Sequence, residues 1–131
     1  MNVQKYIEIP FKPHGRDFDG CDCYGLVYLI YKNEFNIKLP LLLNDYDNPS
    51  EHEKVLGIIN KEKALLDTIE LKVPEEGCIA MFNIRGFTSH MGVYIGNGQV
   101  IHILSGVNSI CEKLNSLRLR NRIEGFYAIR K

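Results

Sequence analysis

The chain has 131 residues, which is enough for one compact domain and too short for two ordinary ones. Its hydrophobic content of 45% and charged content of 24% are near globular averages, so disordered and fibrous classes are disfavoured. The formal net charge is zero, which argues against electrostatic attraction to nucleic acid or to an anionic membrane. We therefore expect a single domain spanning residues 1–131.

The N-terminal residues contain charges and no apolar core run, so no signal peptide is predicted. No run of about 18 apolar residues is present, so no transmembrane helix is predicted either. We expect synthesis in the cytoplasm without a signal peptide, where free thiols are the default state. That expectation covers the four cysteines, which are Cys21, Cys23, Cys78 and Cys111. Cys78 lies in an apolar run and is interpreted as a small core residue.

Residues 1–20 are predicted to form an irregular arm, because prolines and glycines interrupt any repeat. A helix is predicted from Asp22 to about Asn33, since the apolar residues after Cys23 recur at helical spacing. Cys23 would then lie in the first turn and face inward, where unpaired N–H groups favour a thiolate. Cys23 is thus a candidate nucleophile that needs a histidine from elsewhere. Asp22 is interpreted as the N-cap, with a substrate-side carboxylate as the alternative.

Residues 44–50 are rich in turn formers and predict a loop. Ser50 and Glu53 match a capping box, which predicts a second helix that carries Val55, Leu56 and Ile59, with residues 63–66 as an optional extension. Residues 74–77 predict a turn. Runs rich in Ile, Val, Phe and Tyr then predict strands over residues 78–84, 90–96, 99–104 and 123–130. Helices followed by strands indicate an α+β fold, with N-terminal helices packed on one face of an antiparallel sheet.

The C-terminal part of the chain is basic, although the whole chain is neutral. A solvated face on the terminal strands is the favoured interpretation, and a nucleic-acid-binding patch is the alternative. The residues concerned are Lys113, Arg118, Arg120, Arg122, Arg130 and Lys131.

The chain has four histidines, and two of them lie on strands joined by Gly96-Asn97-Gly98. These are His90 and His102, whereas His14 and His52 are interpreted as exposed polar residues. Because side chains alternate along a strand, the length of the connecting loop decides whether His90 and His102 share a face of the sheet.

A two-residue loop, 97–98, would pair His102 with Val93 and place the two histidines on opposite faces. A three-residue loop, 96–98, pairs His102 with Gly92 and makes His90 its diagonal neighbour on the same face. The second register leaves the other face continuously apolar, which favours the three-residue loop. The residues of that apolar face are Met91, Val93, Ile95, Ile101 and Ile103.

Two adjacent imidazoles are compatible with three arrangements. They can form a structural polar pair, or a zinc site with Cys23 as third ligand. They can also form a Cys–His–His relay, in which the second imidazole orients the first, and this is the favoured hypothesis.

Several stretches of the chain, in order, resemble the NlpC/P60 family of papain-like cysteine peptidases. Asp-Cys-Tyr-Gly-Leu-Val at residues 22–27 and His-Met-Gly-Val-Tyr-Ile-Gly-Asn-Gly at residues 90–98 are specific in combination. The further matching stretches are residues 36–40, 74–82, 101–102 and 122–129.

The resemblance implies a nucleophile, Cys23, at the start of a helix that packs on an antiparallel sheet. It implies that His90 is the base and that His102 is the orienting residue, with no cofactor and no metal. The implied substrate is the peptidoglycan stem peptide, cut at a γ-D-glutamyl bond to a diamino acid. Gly15-Arg16-Asp17, followed by the Asp-Cys-Tyr-Gly-Leu-Val stretch, also resembles the phage tail-assembly branch, which implies tail proteins as partners and a place on the virion.

The chain departs from the family pattern at two positions. Phe11 stands where many members have a tyrosine whose hydroxyl supports the oxyanion, and losing one such donor lowers the rate about 10²–10³-fold. Glu76-Gly77-Cys78 replaces a Pro-Gly-Asp turn, which affects a turn and not the chemistry. A catalytically weak tail-assembly module, or an amidase or acyltransferase on another substrate, is therefore the alternative function.

Overall fold

A computed structural model describes residues 1–41, 67–84 and 87–130 of the chain. The N-terminal part contains a 3-10 helix (Gln4–Tyr6), strands β1 (Arg16–Asp17) and β2 (Gly20–Cys21), and helix α1 (Cys23–Glu34). The remaining strands are β3 (Asp67–Leu71), β4 (Ile79–Ile84), β5 (Phe87–Gly96), β6 (Gln99–His102), β7 (Ile110–Lys113) and β8 (Ile123–Arg130).

Strands β3 to β8 form one six-stranded sheet in the order β3-β8-β4-β5-β6-β7, and every neighbouring pair is antiparallel. Helix α1 packs against β5. A helix on an antiparallel sheet confirms the predicted α+β class. The second helix, predicted after Ser50, lies outside the described residues.

Helix α1 begins at Cys23 and ends at Glu34, within one residue of the predicted end. It is buried over its first nine residues, and Tyr24, Leu26 and Ile30 are fully enclosed. Its buried side joins the apolar face of the β5–β6 hairpin in one core, as the alternation in those strands predicted. No helix of the described ranges is long and apolar enough to cross a membrane.

The arm formed by residues 1–20 is more ordered than predicted. Strands β1 and β2 pair with each other, and the main chain of Ile9 and Glu8 bonds to that of Ser109, next to β7. The Ser109 hydroxyl is fully buried, accepts from the Ile9 N–H and donates to the Tyr6 carbonyl. These contacts fix the arm against the sheet edge beside α1.

A glycine in the first turn of α1 lets the arm approach the helix. A Cβ on Gly25 would collide with the carbonyl oxygen of Gly15. Residue 25 must therefore lack a side chain if the turn that carries Cys23 is to rest on the arm.

Candidate active site

The hairpin of β5 and β6 has a turn that differs from the predicted one. Gln99 pairs with Gly96, so the turn is the two-residue Asn97-Gly98, and both of these residues have positive φ. A register shift between Tyr94 and Gly96 adds one residue to β5. The predicted three-residue loop is therefore wrong. The bulge nevertheless gives the predicted pairing of Gly92 with His102, which places His90 and His102 on one face.

His90 and His102 lie on one face of the sheet as diagonal neighbours and contact each other. His90 Nε2 is 2.7 Å from His102 Nδ1. Both side chains are buried, with exposed fractions of 6% for His90 and 0% for His102. The structure therefore brings together the two histidines that sequence reasoning paired, in hydrogen-bonding contact.

Two neighbours enclose the histidine pair. The fully buried ring of Phe82, on β4, lies 5.7 Å from the His90 ring and 6.3 Å from the His102 ring, centroid to centroid. A Cβ on Gly92 would lie 2.9 Å from the Cβ of His102 and 2.7 Å from the Ile101 carbonyl oxygen. Gly92 thus leaves the space that His102 occupies, and the Phe82 ring packs near both imidazoles.

A carboxylate on β7 extends the pair. Glu112 Oε1 lies 2.8 Å from His102 Nε2. Its other oxygen, Oε2, accepts from the Ser116 hydroxyl at 2.9 Å and from Arg118 Nε at 3.1 Å. His90, His102 and Glu112 therefore form a continuous hydrogen-bonded line across β5, β6 and β7.

Burial and charge act in opposite directions along this line. Burial lowers the pKa of His102, although the hydrogen bond to Glu112 and its charge act to raise it. Burial acts to raise the pKa of Glu112, but hydrogen bonds from His102, Arg118 and Ser116 outweigh it, and the net shift is downward. The resting state is thus a neutral His102 beside an ionised Glu112.

Cys23 begins α1 and is buried, with 4% of its surface exposed. The main chain of Met91 hydrogen-bonds to its thiolate form, and Met91 directly follows His90. Cys23 therefore lies against the strand that carries the predicted base.

The ionisation of Cys23 differs from the prediction. Burial raises its pKa well above the usual range and the Asp22 carboxylate raises it further, whereas backbone hydrogen bonds from Met91, Tyr24 and Cys23 itself only partly oppose this. The resting side chain is a neutral thiol. A base is consequently needed to remove its proton.

Asp22 is the N-cap of α1, as favoured from the sequence. Its Oδ1 accepts from the Gly25 N–H at 2.7 Å and from Arg16 Nη1 at 3.1 Å, and its Oδ2 accepts from the His14 N–H at 3.0 Å. The carboxylate is fully buried and Arg16 nearly so. These contacts give Asp22 a structural role and explain the Arg16 of the arm.

Of the two other histidines singled out from the sequence, His14 is half-buried, not exposed, and His52 lies outside the described residues. Cys78 is buried, as predicted, and all four cysteines are free thiols. Within the described residues, no cluster of three or more His, Cys, Asp or Glu side chains is arranged to hold a metal ion.

Sequence reasoning missed Glu112 because it missed β7, a four-residue strand with only two apolar residues. Glu112 pairs with Val100, which places it on the same face as His102 and diagonal to it. The available signal was one carboxylate in a short alternating run after a turn, which is weak. Arg118, assigned to a solvated basic face, is 47% exposed and also pairs with Glu112.

Comparisons with known proteins agree with this architecture. A family model described as "NlpC/P60 family" matches residues 8–125. The murein DD-endopeptidase MepH of Escherichia coli (strain K12) is 33% identical over 84 residues, which cover 63% of this chain and 26% of MepH. The chain thus matches about a quarter of the length of that relative.

Solved structures share the fold at low sequence identity. The NlpC/p60 domain of the peptidoglycan hydrolase SagA is 18% identical, with a TM-score of 0.63 over 96% of this chain and 92% of that one. An NlpC/P60 family protein from Bacillus cereus is 19% identical, with a TM-score of 0.65 over 92% and 35% of the two chains. A lipoprotein-like NLP/P60 family protein from Staphylococcus aureus is 17% identical, with a TM-score of 0.61 over 95% and 38%.

Proposed function

The chain belongs to the NlpC/P60 family, and on that premise we propose that it is a cysteine peptidase that hydrolyses a peptide amide bond of peptidoglycan. Cys23 is the proposed nucleophile, His90 the base and His102 the residue that orients His90. The observation that carries the proposal is the 2.7 Å contact between the two imidazoles, together with the bond from the Met91 main chain, beside His90, to the helix-start Cys23.

The proposed reaction is acyl transfer to water. Because His90 Nε2 faces His102, the other ring nitrogen, Nδ1, takes the proton of the Cys23 thiol as sulfur attacks the amide carbonyl carbon. The C–N bond then breaks, and His90 returns this proton to the leaving amine, which leaves a thioester on Cys23. His90 next takes a proton from water, which attacks the thioester and releases the acid, and this proton returns to the sulfur.

A base is central to this mechanism because burial keeps the Cys23 thiol protonated. A preformed thiolate would not need His90 at the first step. The closed surroundings also strengthen the interaction between the thiolate and the imidazolium once both have formed.

Two bonds of the stem peptide are candidates for cleavage. The sequence resemblance implies the γ-D-glutamyl bond to a diamino acid. The similarity to a relative whose name denotes a murein DD-endopeptidase favours a second candidate, the DD bond of a cross-link. A tripeptide with a γ-D-Glu-diaminopimelate bond and a cross-linked muropeptide dimer separate the two.

The experiment measures amine release from both substrates by wild type and by Cys23→Ala. We expect wild type to cleave at least one substrate and Cys23→Ala to cleave neither. Equal release by the two proteins would rule out Cys23 as the nucleophile. Cleavage of other amides but neither muropeptide would instead support the amidase or acyltransferase alternative.

The alternative of a catalytically weak module rests on Phe11, and its placement on a phage tail rests on Gly15-Arg16-Asp17 followed by residues 22–27. Arg16 contributes to the fold by binding Asp22 and the carbonyl oxygens of Gly15 and Leu41. Arg16 therefore has a structural explanation independent of any tail. Tail-fibre and tape-measure genes beside the coding sequence would support placement on a virion.

A further inference from the structure

We propose that Glu112 is a positioning residue that sets the direction of the hydrogen bonds through His102 to His90, so that His90 keeps Nδ1 unprotonated. The proposal deepens the peptidase mechanism and rests on it for its catalytic meaning. The arrangement of protons that it states is a property of the resting protein and is measurable without substrate.

The hydrogen bond between Glu112 and His102 has only one possible direction. An ionised carboxylate has no hydrogen to give, so the 2.8 Å contact requires His102 Nε2 to carry the proton and to donate it to Glu112 Oε1. The Arg118 guanidinium and the Ser116 hydroxyl, both donors to Oε2, stabilise the ionised form. The direction of this bond is therefore fixed by charge.

The hydrogen bond between the two imidazoles takes its direction from the position of the His102 proton. A neutral imidazole has one N–H, and burial favours the neutral form of His102. With its proton on Nε2, His102 presents an unprotonated Nδ1 to His90. The 2.7 Å contact then requires His90 Nε2 to donate.

The Nδ1 atom of His90 is the nitrogen that performs the chemistry. A neutral His90 with its proton on Nε2 has no proton on Nδ1, which is therefore the nitrogen able to accept from the Cys23 thiol. After that transfer, His90 is an imidazolium that still donates through Nε2 to His102. The Glu112 carboxylate, at the end of the line, stabilises this positive charge without accepting a proton from it.

The direct test is long-range ¹H–¹⁵N NMR of the histidine rings in the wild-type protein, which distinguishes protonated from unprotonated ring nitrogens. We expect both His90 and His102 to carry their proton on Nε2 at neutral pH. A proton on Nδ1 of either ring would overturn the proposal, and this outcome needs no variant.

Glu112→Gln is designed to reverse the direction of the hydrogen bonds that run from residue 112 through His102 to His90. Ser116 and Arg118 both donate to one oxygen, so the amide oxygen of the substituted side chain should face them and its NH₂ group should face His102. His102 Nε2 must then accept, which moves its proton to Nδ1 and forces the proton of His90 onto Nδ1 as well. We expect both histidines to switch tautomer and kcat to fall about 10²–10³-fold with little change in KM. This loss is smaller than the loss of about 10⁴-fold for an amide in place of a triad carboxylate, because Glu112 acts on His90 through His102.

Glu124→Gln is the matched control, because Glu124 is an exposed carboxylate on β8. We expect wild-type tautomers and wild-type kcat from it. A folded Glu112→Gln protein with wild-type tautomers would disprove the role of Glu112, even where the wild type cleaves peptidoglycan peptides. If Glu112→Gln switches both tautomers but the wild type cleaves no peptidoglycan peptide, the hydrogen-bond direction is supported and only the peptidase function is disproved.

Discussion

His90 and His102 touch through Nε2 and Nδ1 at 2.7 Å although the turn between their strands is not the one that the sequence predicted. A one-residue bulge in β5 compensates for the shorter turn. Because one residue of slippage would send His90 to the opposite face, this bulge is what keeps the pair together.

The buried, neutral His102 predicts acid-dependent stability. Its folded-state pKa is lowered from 6.5 by burial, so below pH 6.5 the unfolded chain binds a proton that the folded chain resists. The free energy of unfolding should therefore fall as the pH decreases from 7 to 5, with a contribution from this site of at most about 1.4 kcal/mol per pH unit. Urea denaturation at a series of pH values measures the slope.

His102→Gln should flatten that slope, and His14→Gln, which changes a histidine outside the pair, should not. An unchanged slope in His102→Gln would show that another group controls the acid sensitivity. Glu112 contributes in a lower window, because its lowered pKa adds stability that is lost as the pH falls below about 4.5.

The parts of the fold that local pattern controls could be predicted from the sequence. Helix α1 has helical periodicity and a capping aspartate, and β8 is a long run of strand-forming residues, so both were predicted within one residue of their bounds. Strands β3 and β7 were missed because they are short and half-exposed, and their pairing is decided by β8 and β6.

The features of the candidate site also divide into those that local sequence pattern predicts and those that depend on tertiary packing. The pairing of His90 with His102 was predictable, because the apolar side of the hairpin admits only one face for the histidines. Glu112 and the protonated state of Cys23 were not, because both depend on packing between distant segments. A helix start favours a thiolate, but enclosure of the sulfur by the core opposes it more strongly.

We predict that position 92 tolerates no side chain larger than that of glycine. Gly92→Ala puts a methyl group 2.7 Å from the Ile101 carbonyl oxygen and 2.9 Å from the His102 Cβ, so β6 or the His102 ring must move. We expect a loss of about 1–3 kcal/mol in the free energy of unfolding and at least a tenfold loss of kcat. Thermal denaturation and peptide hydrolysis measure the two effects.

Gly98→Ala is the control for that change, since a Cβ there meets nothing within 4 Å but the residue has a φ of +73°. It should lower stability by about 1–2 kcal/mol through backbone strain and leave kcat unchanged. Equal kcat in both variants would show that Gly92 is needed for folding alone.

We predict that removing the negative charge of Asp22 lowers the pKa of the Cys23 thiol. Burial is the larger cause of the raised pKa of Cys23, and the Asp22 carboxylate is the second. Asp22→Asn keeps an oxygen that can accept from the Gly25 N–H and removes the negative charge, so the pKa of Cys23 should fall. Iodoacetamide should then modify Cys23 several-fold faster between pH 7 and 9, as measured by peptide mass spectrometry.

Asp19→Asn provides the comparison, because Asp19 is exposed and lies outside the cap. It should leave the alkylation rate of Cys23 unchanged. A rate for Asp22→Asn no faster than wild type, in protein whose circular dichroism is native, would mean that burial alone controls this thiol.

At position 11 the chain has Phe in place of the tyrosine whose hydroxyl supports the oxyanion in many family members. Phe11 is half-buried, forms a bridge with Cys21 and packs against the core that contains Cys23. Phe11→Tyr adds one O–H donor, and a donor aimed at the oxyanion contributes about 10²–10³-fold to kcat in other enzymes. We expect at least a tenfold rise in kcat, with a change in stability of no more than about 0.5 kcal/mol.

Phe18→Tyr is the matched control, because Phe18 is 45% exposed and stacks on Tyr6. The added hydroxyl there should change neither kcat nor stability. Steady-state hydrolysis of the muropeptide that wild type cleaves measures both variants. A folded Phe11→Tyr protein with wild-type kcat would show that the oxyanion already has its donors, which removes the main reason to regard this chain as a weak catalyst.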